Sequence, residues 1–196
     1  MDGTLIDSSI TIANAINFVR GKLHLEPMRS EDILKDVNNH TLNPAKHFYN
    51  IEEFEPIHEE WFNSYYSANH HKELIVYDGI KDMLEDIKAH NKKLALATNA
   101  YKISTIESLK FLNIFHLFDA IVCHDEVEAS KPSPDMLFKI LDKLNISNEN
   151  AIFIGDGSRD LLASRSANID YLMVNWGFSD DDKSAILSVE ELRDRL

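Results

Sequence analysis

Beyond residue 77 the sequence alternates short apolar runs with longer amphipathic stretches, and this alternation restricts the fold more than any other feature. The runs are Leu94-Ala95-Leu96-Ala97, Ala120-Ile121-Val122-Cys123, Ala151-Ile152-Phe153-Ile154 and Tyr171-Leu172-Met173-Val174. Runs this short, bounded by polar residues, read as buried strands. Between them, apolar residues recur at helical spacing: Ile80, Met83, Leu84 and Ile87; then Ile103, Ile106, Leu109 and Leu112; then Leu137, Ile140, Leu141 and Leu144. Pro134 is placed to open the third of these helices. Residues 160–167 read as a further helix, and Ser188 with Glu191 as the capping box of a terminal one. Strands alternating with helices predict a parallel sheet covered on both faces.

The preceding stretch has a different texture. Residues 9–76 read as helical throughout, without strands. Ser8 or Ser9 can cap a helix running to about Lys22, with Ile12, Ile16, Val19 and Leu23 as its stripe. Ser30 can cap a second, and Pro44 and Pro56 can each open another. Trp61, Phe62, Tyr65 and Tyr66 give the last of these an aromatic face. The expected architecture is an α/β core formed by residues 1–8 and 77–196, with residues 9–76 inserted as a helical cap.

Composition narrows the function. A net charge of −13 disfavours binding to a nucleic acid backbone but leaves room for a small anionic substrate in a local cationic pocket. The single cysteine, Cys123, excludes an intramolecular disulfide framework, and its apolar surroundings predict a buried residue. No apolar stretch is long enough to span a bilayer, and the acidic N-terminus lacks the layout of a signal peptide. A cytoplasmic protein, a monomer or homodimer, is the expectation.

Four segments carry chemistry. The first is Asp2-Gly3-Thr4, a turn leading towards a helix, where Gly3 lets the backbone turn sharply and free amides can hold an anion. The second is the strand 94–97 followed by Thr98 and Asn99, which offer a hydroxyl and an amide to phosphate oxygens or simply cap the strand end. The third is Lys131-Pro132, and the fourth is Gly155-Asp156 with Asp160 four residues on. Asp156 and Asp160 present hard oxygen donors suited to magnesium, although Asp is also a favoured helix N-cap.

Together, in this order, the four segments resemble the motifs of the haloacid dehalogenase superfamily of phosphatases, and within it the phosphoglycolate phosphatase-like branch. The resemblance covers essentially the whole chain. It implies a Rossmann-like parallel sheet with a cap of the C1 type, and ligands at the carboxyl ends of the strands. It also implies that Asp2 is the general acid/base and offers its backbone carbonyl to Mg2+. Asp156 would be the direct metal ligand and Asp160 a nearby or water-mediated one. Lys131 would sit on the phosphoryl group, with Gly3, Thr98 and Asn99 around it. Asn38, Asn39 and His40 fall between two cap helices, where related proteins carry a specificity loop; an ordinary surface loop is the alternative. His70 and His71 read as surface residues, and Arg159 as a solvated charge. Trp176-Gly177-Phe178 resembles a segment that follows the last strand in phosphoglycolate phosphatase-like proteins.

One residue of the pattern lies outside the sequence. In the family the nucleophile is an Asp two positions before the residue matching Asp2, at the end of the central strand, and this sequence starts at Met1. The expectation is that Met1 is an internal methionine of Asp-Met-Asp-Gly-Thr. The leading functional expectation is a magnesium-dependent phosphomonoesterase acting on a small phosphorylated metabolite, phosphoglycolate first. A pyrophosphatase or phosphosugar mutase stays open, since the cap decides. The alternative is an inactive relative that binds phosphate or a protein partner.

Overall fold

The computed structural model describes residues 1–37, 39, 41–177 and 184–196. Four helices, α1 (Ser9–Lys22), α2 (Ser30–Asp36), α3 (Pro44–Tyr49) and α4 (Pro56–Glu73), lie between strands β1 (Ile6–Asp7) and β2 (Ile75–Val76). These two strands pair antiparallel, with Ile6 opposite Val76 and Asp7 opposite Ile75. The stretch expected to be helical throughout thus ends in a strand, because the chain must return beside the point where it left.

Helix α1 packs between the other three, so it buries more than one stripe: Thr11, Ala13, Ala15, Ile16 and Val19 all point inward. Ile33, Phe48 and Tyr49 complete this small core. Both prolines stand at the first position of their helices, where a missing amide leaves nothing unpaired. Ser8 occupies the N-cap of α1 without a capping bond; the Asp7 carboxylate accepts the Ser9 amide instead, at 3.0 Å.

After α5 (Ile80–Ala89) the chain alternates β3 (Ala95–Thr98), α6 (Lys102–Phe111), β4 (Ala120–Cys123), α7 (Asp135–Leu144), β5 (Ile152–Gly155), α8 (Ser158–Ala167) and β6 (Asp170–Met173), and closes with α9 (Val189–Arg193). Strands β3 and β4 pair parallel, as do β5 and β6. Their core divides into two layers. One gathers Ile80, Met83, Leu84, Leu109, Ile114 and Leu192; the other gathers Val122, Met136, Leu137, Ala163 and Ala167. Helix α6 departs from the expected stripe: Ile103 is 73% exposed, while Thr105, Ser108 and Leu109 face inward. A strict three-residue repeat falls behind the helical period by roughly 60° at each step, so residues 103 and 112 cannot share a face. His70 is likewise buried rather than at the surface, its ring stacked on Tyr66 and its Nδ1 3.0–3.1 Å from the carbonyls of Tyr66 and Ser67.

The two parallel pairs are not hydrogen-bonded to each other. Between β3 and β5 lies a cavity of about 690 Å³. Ile80, Met83, Leu84 and Ile87 of α5 wall one side, and Leu137, Ile140, Leu141 and Leu144 of α7 the other. Met1, Thr4 and Leu5 stand in its lining.

Candidate active site

The site forms where β3 and β5 end and the turn after Met1 meets them. Gly3 makes this turn with φ +72°, and a Cβ there would lie 2.1 Å from Asp156 Oδ2. Only glycine satisfies both the left-handed backbone and the close approach. The amides of the turn are already engaged. Gly3 N donates to Ile6 O at 2.9 Å, and the amides of Thr4, Leu5 and Ile6 all donate to Met1 O. What the geometry gives Gly3 is a conformational part, with its own amide engaged within the turn.

Thr4, which the sequence reading passed over, donates its hydroxyl to Asp156 Oδ1 at 2.7 Å and joins the turn to the end of β5. Its neighbour in the motif, Asp2, lines the cavity beside it, with the Tyr66 hydroxyl of α4 3.4 Å from Asp2 Oδ1. Nothing in the spacing of Tyr66 marks it; only the tertiary approach of α4 brings it here.

Asp156 and Asp160 flank the start of α8, and both are buried, at 5% and 9% exposure. Gly155 precedes them because a Cβ there would lie 2.5 Å from Asp160 Oδ2. Burial pushes the Asp156 carboxyl up to about 6 and the neighbouring Asp160 adds to the rise, against the opposing pull of the Met1 ammonium, Thr4 and Lys131. For Asp160 burial acts in the same upward sense, but the Lys131 charge and hydrogen bond, with the Met1 ammonium, outweigh it and hold the carboxyl below its usual range. Lys131 is itself buried, its Nζ donating to Asp160 Oδ1 at 2.7 Å and to Ala97 O at 2.9 Å.

Asn99 holds Lys131 in place. Its Nδ2 donates to Lys131 O at 2.9 Å and its Oδ1 accepts the Lys131 amide at 3.1 Å. The pairing gives Asn99 a positioning part, and its second Nδ2 hydrogen remains for the cavity it lines. Thr98, 3% exposed at the end of β3, accepts the Ala100 amide at 3.2 Å and leaves its hydroxyl proton available to the cavity.

These side chains floor a cavity of about 490 Å³ roofed by α1, α3 and α4. Asp2, Thr98, Asn99, Lys131, Asp156 and Asp160 all line it, as does Arg159, which the sequence reading left in solvent. Asn39 stands apart: its Oδ1 closes a turn on Thr41 at 2.7 and 3.0 Å, and Val37 lines the cavity in its stead. Asn38 and His40 lie outside the described residues, as does Phe178 of the Trp176 segment. Trp176 itself donates Nε1–H to Thr4 O at 3.0 Å and braces the turn.

A buried lysine facing two acidic residues at strand ends, on an alternating α/β frame with helices inserted after the first turn, defines a hydrolase class. The profile of the haloacid dehalogenase-like hydrolases matches residues 1–174, and the chain belongs to that family of phosphatases. Among curated proteins, it is 28% identical over 181 residues to pyrophosphatase PpaX of Bacillus cereus, covering 90% of this chain and 81% of that one. The PpaX of Halalkalibacterium halodurans is 30% identical over 127 residues, 63% of this chain and 59% of that one. Among solved structures, a predicted phosphatase from Clostridium acetobutylicum superposes with a TM-score of 0.85 at 25% identity, covering 100% of this chain and 94% of that one. The haloacid dehalogenase-like hydrolase SP0104 of Streptococcus pneumoniae gives 0.75 at 27% identity, covering 92% and 84%.

Proposed function

We propose that this phosphatase is a magnesium-dependent phosphomonoester hydrolase of a small phosphorylated metabolite, acting through an aspartyl-phosphate. In the proposal residues 1–8 and 77–196 form the catalytic core and residues 9–76 the cap. The carrying observation is the convergence of Asp2, Lys131, Asp156 and Asp160 on one cavity floor, with Lys131 Nζ 2.7 Å from Asp160.

The donor chemistry suits Mg2+. Asp156, Asp160 and the Asp2 carbonyl are hard oxygens, and magnesium is commonly held by one or two carboxylates, the rest being water and substrate phosphate. The raised Asp156 carboxyl is a crowded negative charge that a cation relieves. When bound, the metal would neutralise phosphoryl oxygens. Lys131 would add its charge to the same oxygens, held there by Asn99, and Thr98 would donate its hydroxyl. Asp2 would give a proton to the leaving alcohol as its P–O bond breaks, then take one from the water that hydrolyses the acyl phosphate.

The proposal includes a strand and an aspartate ahead of Met1, the aspartate being the nucleophile. It is supported by the apolar cavity between β3 and β5, whose lining includes Met1 and whose walls are the backbones and helices that a strand would pack on. The test is turnover by three purified chains with magnesium and an aryl phosphate: residues 1–196, the same extended by an aliphatic strand ending in Asp-Met, and the same with Asn for that Asp. Only the second is expected to turn over. Comparable turnover by the first would assign the nucleophile elsewhere, and silence in all three would favour a phosphate-binding protein without catalysis. Phosphoglycolate and pyrophosphate are the first metabolites to compare. The proposal extends to a cytoplasmic protein, monomer or homodimer. In its support, no helix among the described residues is long and apolar enough to cross a membrane, and Cys123 is free and buried.

A further inference from the structure

The two poles of the 490 Å³ cavity differ in charge. The floor carries Lys131 and Arg159 beside the carboxylates; the roof, among the described residues, carries no lysine or arginine. The roof is built mainly from Ile16, Phe48, Tyr49, Phe54, Phe62 and Tyr66, with His58 and Asn63 as polar members and one carboxylate, Glu59. Several cations of the inserted helices are turned to other work. Arg20 donates to the carbonyls of Glu26 and Phe48, Arg29 pairs with Asp32, Lys46 pairs with Glu52, and Lys22 lies over the Phe18 ring. Glu59 is fixed at the rim by the Tyr101 hydroxyl, at 2.9 Å.

A leaving group that carries its own carboxylate or second phosphoryl group would reach into this roof with no lysine or arginine among the described residues to meet it and Glu59 nearby. Desolvating such a charge without a partner is strongly unfavourable. An uncharged ring would instead lie against the aromatic wall that Phe54 and Phe62 contribute to the cavity. The cavity is also of the size that encloses a drug-sized ligand, well beyond a two-carbon acid.

We propose that the substrate is a phosphomonoester whose alcohol half is an uncharged, largely apolar ring, rather than phosphoglycolate or pyrophosphate. This rests on the phosphate-site reading above, and the test separates the two. Calorimetric titration of the 196-residue chain with magnesium would compare inorganic phosphate, 1-naphthyl phosphate and phosphoglycolate. Naphthyl phosphate is expected to bind at least about tenfold tighter than phosphate, by burial of its rings. Phosphoglycolate is expected to bind no tighter than phosphate. Glu59→Lys, a change at the exposed rim, should raise affinity for phosphoglycolate while leaving phosphate unchanged. Phe62→Ser should remove the preference for naphthyl phosphate while phosphate still binds. Phosphate binding without a preference for the aryl ester, or phosphoglycolate as the tightest of the three, overturns this inference alone. Absence of phosphate binding overturns the phosphate-site reading and this inference with it.

Discussion

Replacing Lys131 by methionine keeps the unbranched stem and removes the charge. In the folded protein Lys131 is the cation that faces Asp160, and both are about nine-tenths buried. The substitution leaves a buried carboxylate without its partner and opens Ala97 O, which Lys131 also satisfies. Removing one member of a buried pair destabilises by about 3–5 kcal/mol. With a urea m-value of about 1–3 kcal/mol per molar, the unfolding midpoint should fall by roughly 1–5 M. The pH dependence has a definite sign. In the parent, Asp160 titrates below its usual range, so its contribution is present above the unfolded value and is lost as pH falls through the lower folded one. Without Lys131, burial dominates, the folded value moves above the unfolded one, and acid then favours the folded variant. The stability gap should therefore be widest near neutrality and narrow on acidification. Urea unfolding in EDTA at several pH values measures it. Adding Asp160→Asn to the variant should recover part of the loss. A loss under about 1 kcal/mol at neutral pH, or a gap that widens in acid, would refute the reasoning.

Three further outcomes are expected. Asp156→Asn should abolish magnesium binding by calorimetry, yet stabilise the metal-free chain at pH 8. A carboxyl titrating at about 6 loses folded-state stability as it ionises, so the difference should vanish in acid; retained affinity removes Asp156 from the site. In the chain extended with Asp-Met, Asp2→Asn should lower kcat by roughly 10²–10⁴, with phosphate binding much less affected, and an unchanged kcat would assign the proton transfer elsewhere. Asp119 accepts Lys88 Nζ at 2.7 Å and the Leu94 amide at 2.8 Å, which, led by the Lys88 bond, hold its carboxyl below the usual range. Asp119→Asn should lower neutral-pH stability by at most about 1 kcal/mol, the loss closing as pH falls through that depressed value; a loss that grows in acid contradicts the assignment.

Strand positions, most of the helix spacing and the four motif segments were legible because each rests on local pattern. Apolar four-residue runs read as strands, and Pro44 and Pro56 announce helix starts. Asp2, Lys131, Asp156 and Asp160, singled out together in the sequence, line one cavity. What escaped depends on tertiary contact. Asn99 could not be known to clamp Lys131, because the partners lie 32 residues apart. The engaged amides around Gly3 follow from Met1 O accepting three of them, a turn geometry that composition does not encode. Tyr66 read only as part of an aromatic face, and His70 as a surface residue. They are buried because α4 lies against both α1 and the core turn. Ile103 failed for a simpler reason, an apolar repeat whose period was too short.

The pairing of Ile6 with Val76 and Asp7 with Ile75 has a topological consequence. It makes the stretch between them a closed loop whose two ends lie one strand spacing apart, roughly 5 Å. Closing a loop depends only logarithmically on its length, so an insertion several residues longer or shorter changes the core's stability by a fraction of a kcal/mol. The roof of the cavity is thus a cassette, spliced in at two adjacent points. Asp2, Lys131, Asp156 and Asp160 lie outside the splice, and the apolar residues of the roof lie inside it. Variation can rework the roof, in length as well as in composition, without disturbing the spacing of Asp2, Lys131, Asp156 and Asp160.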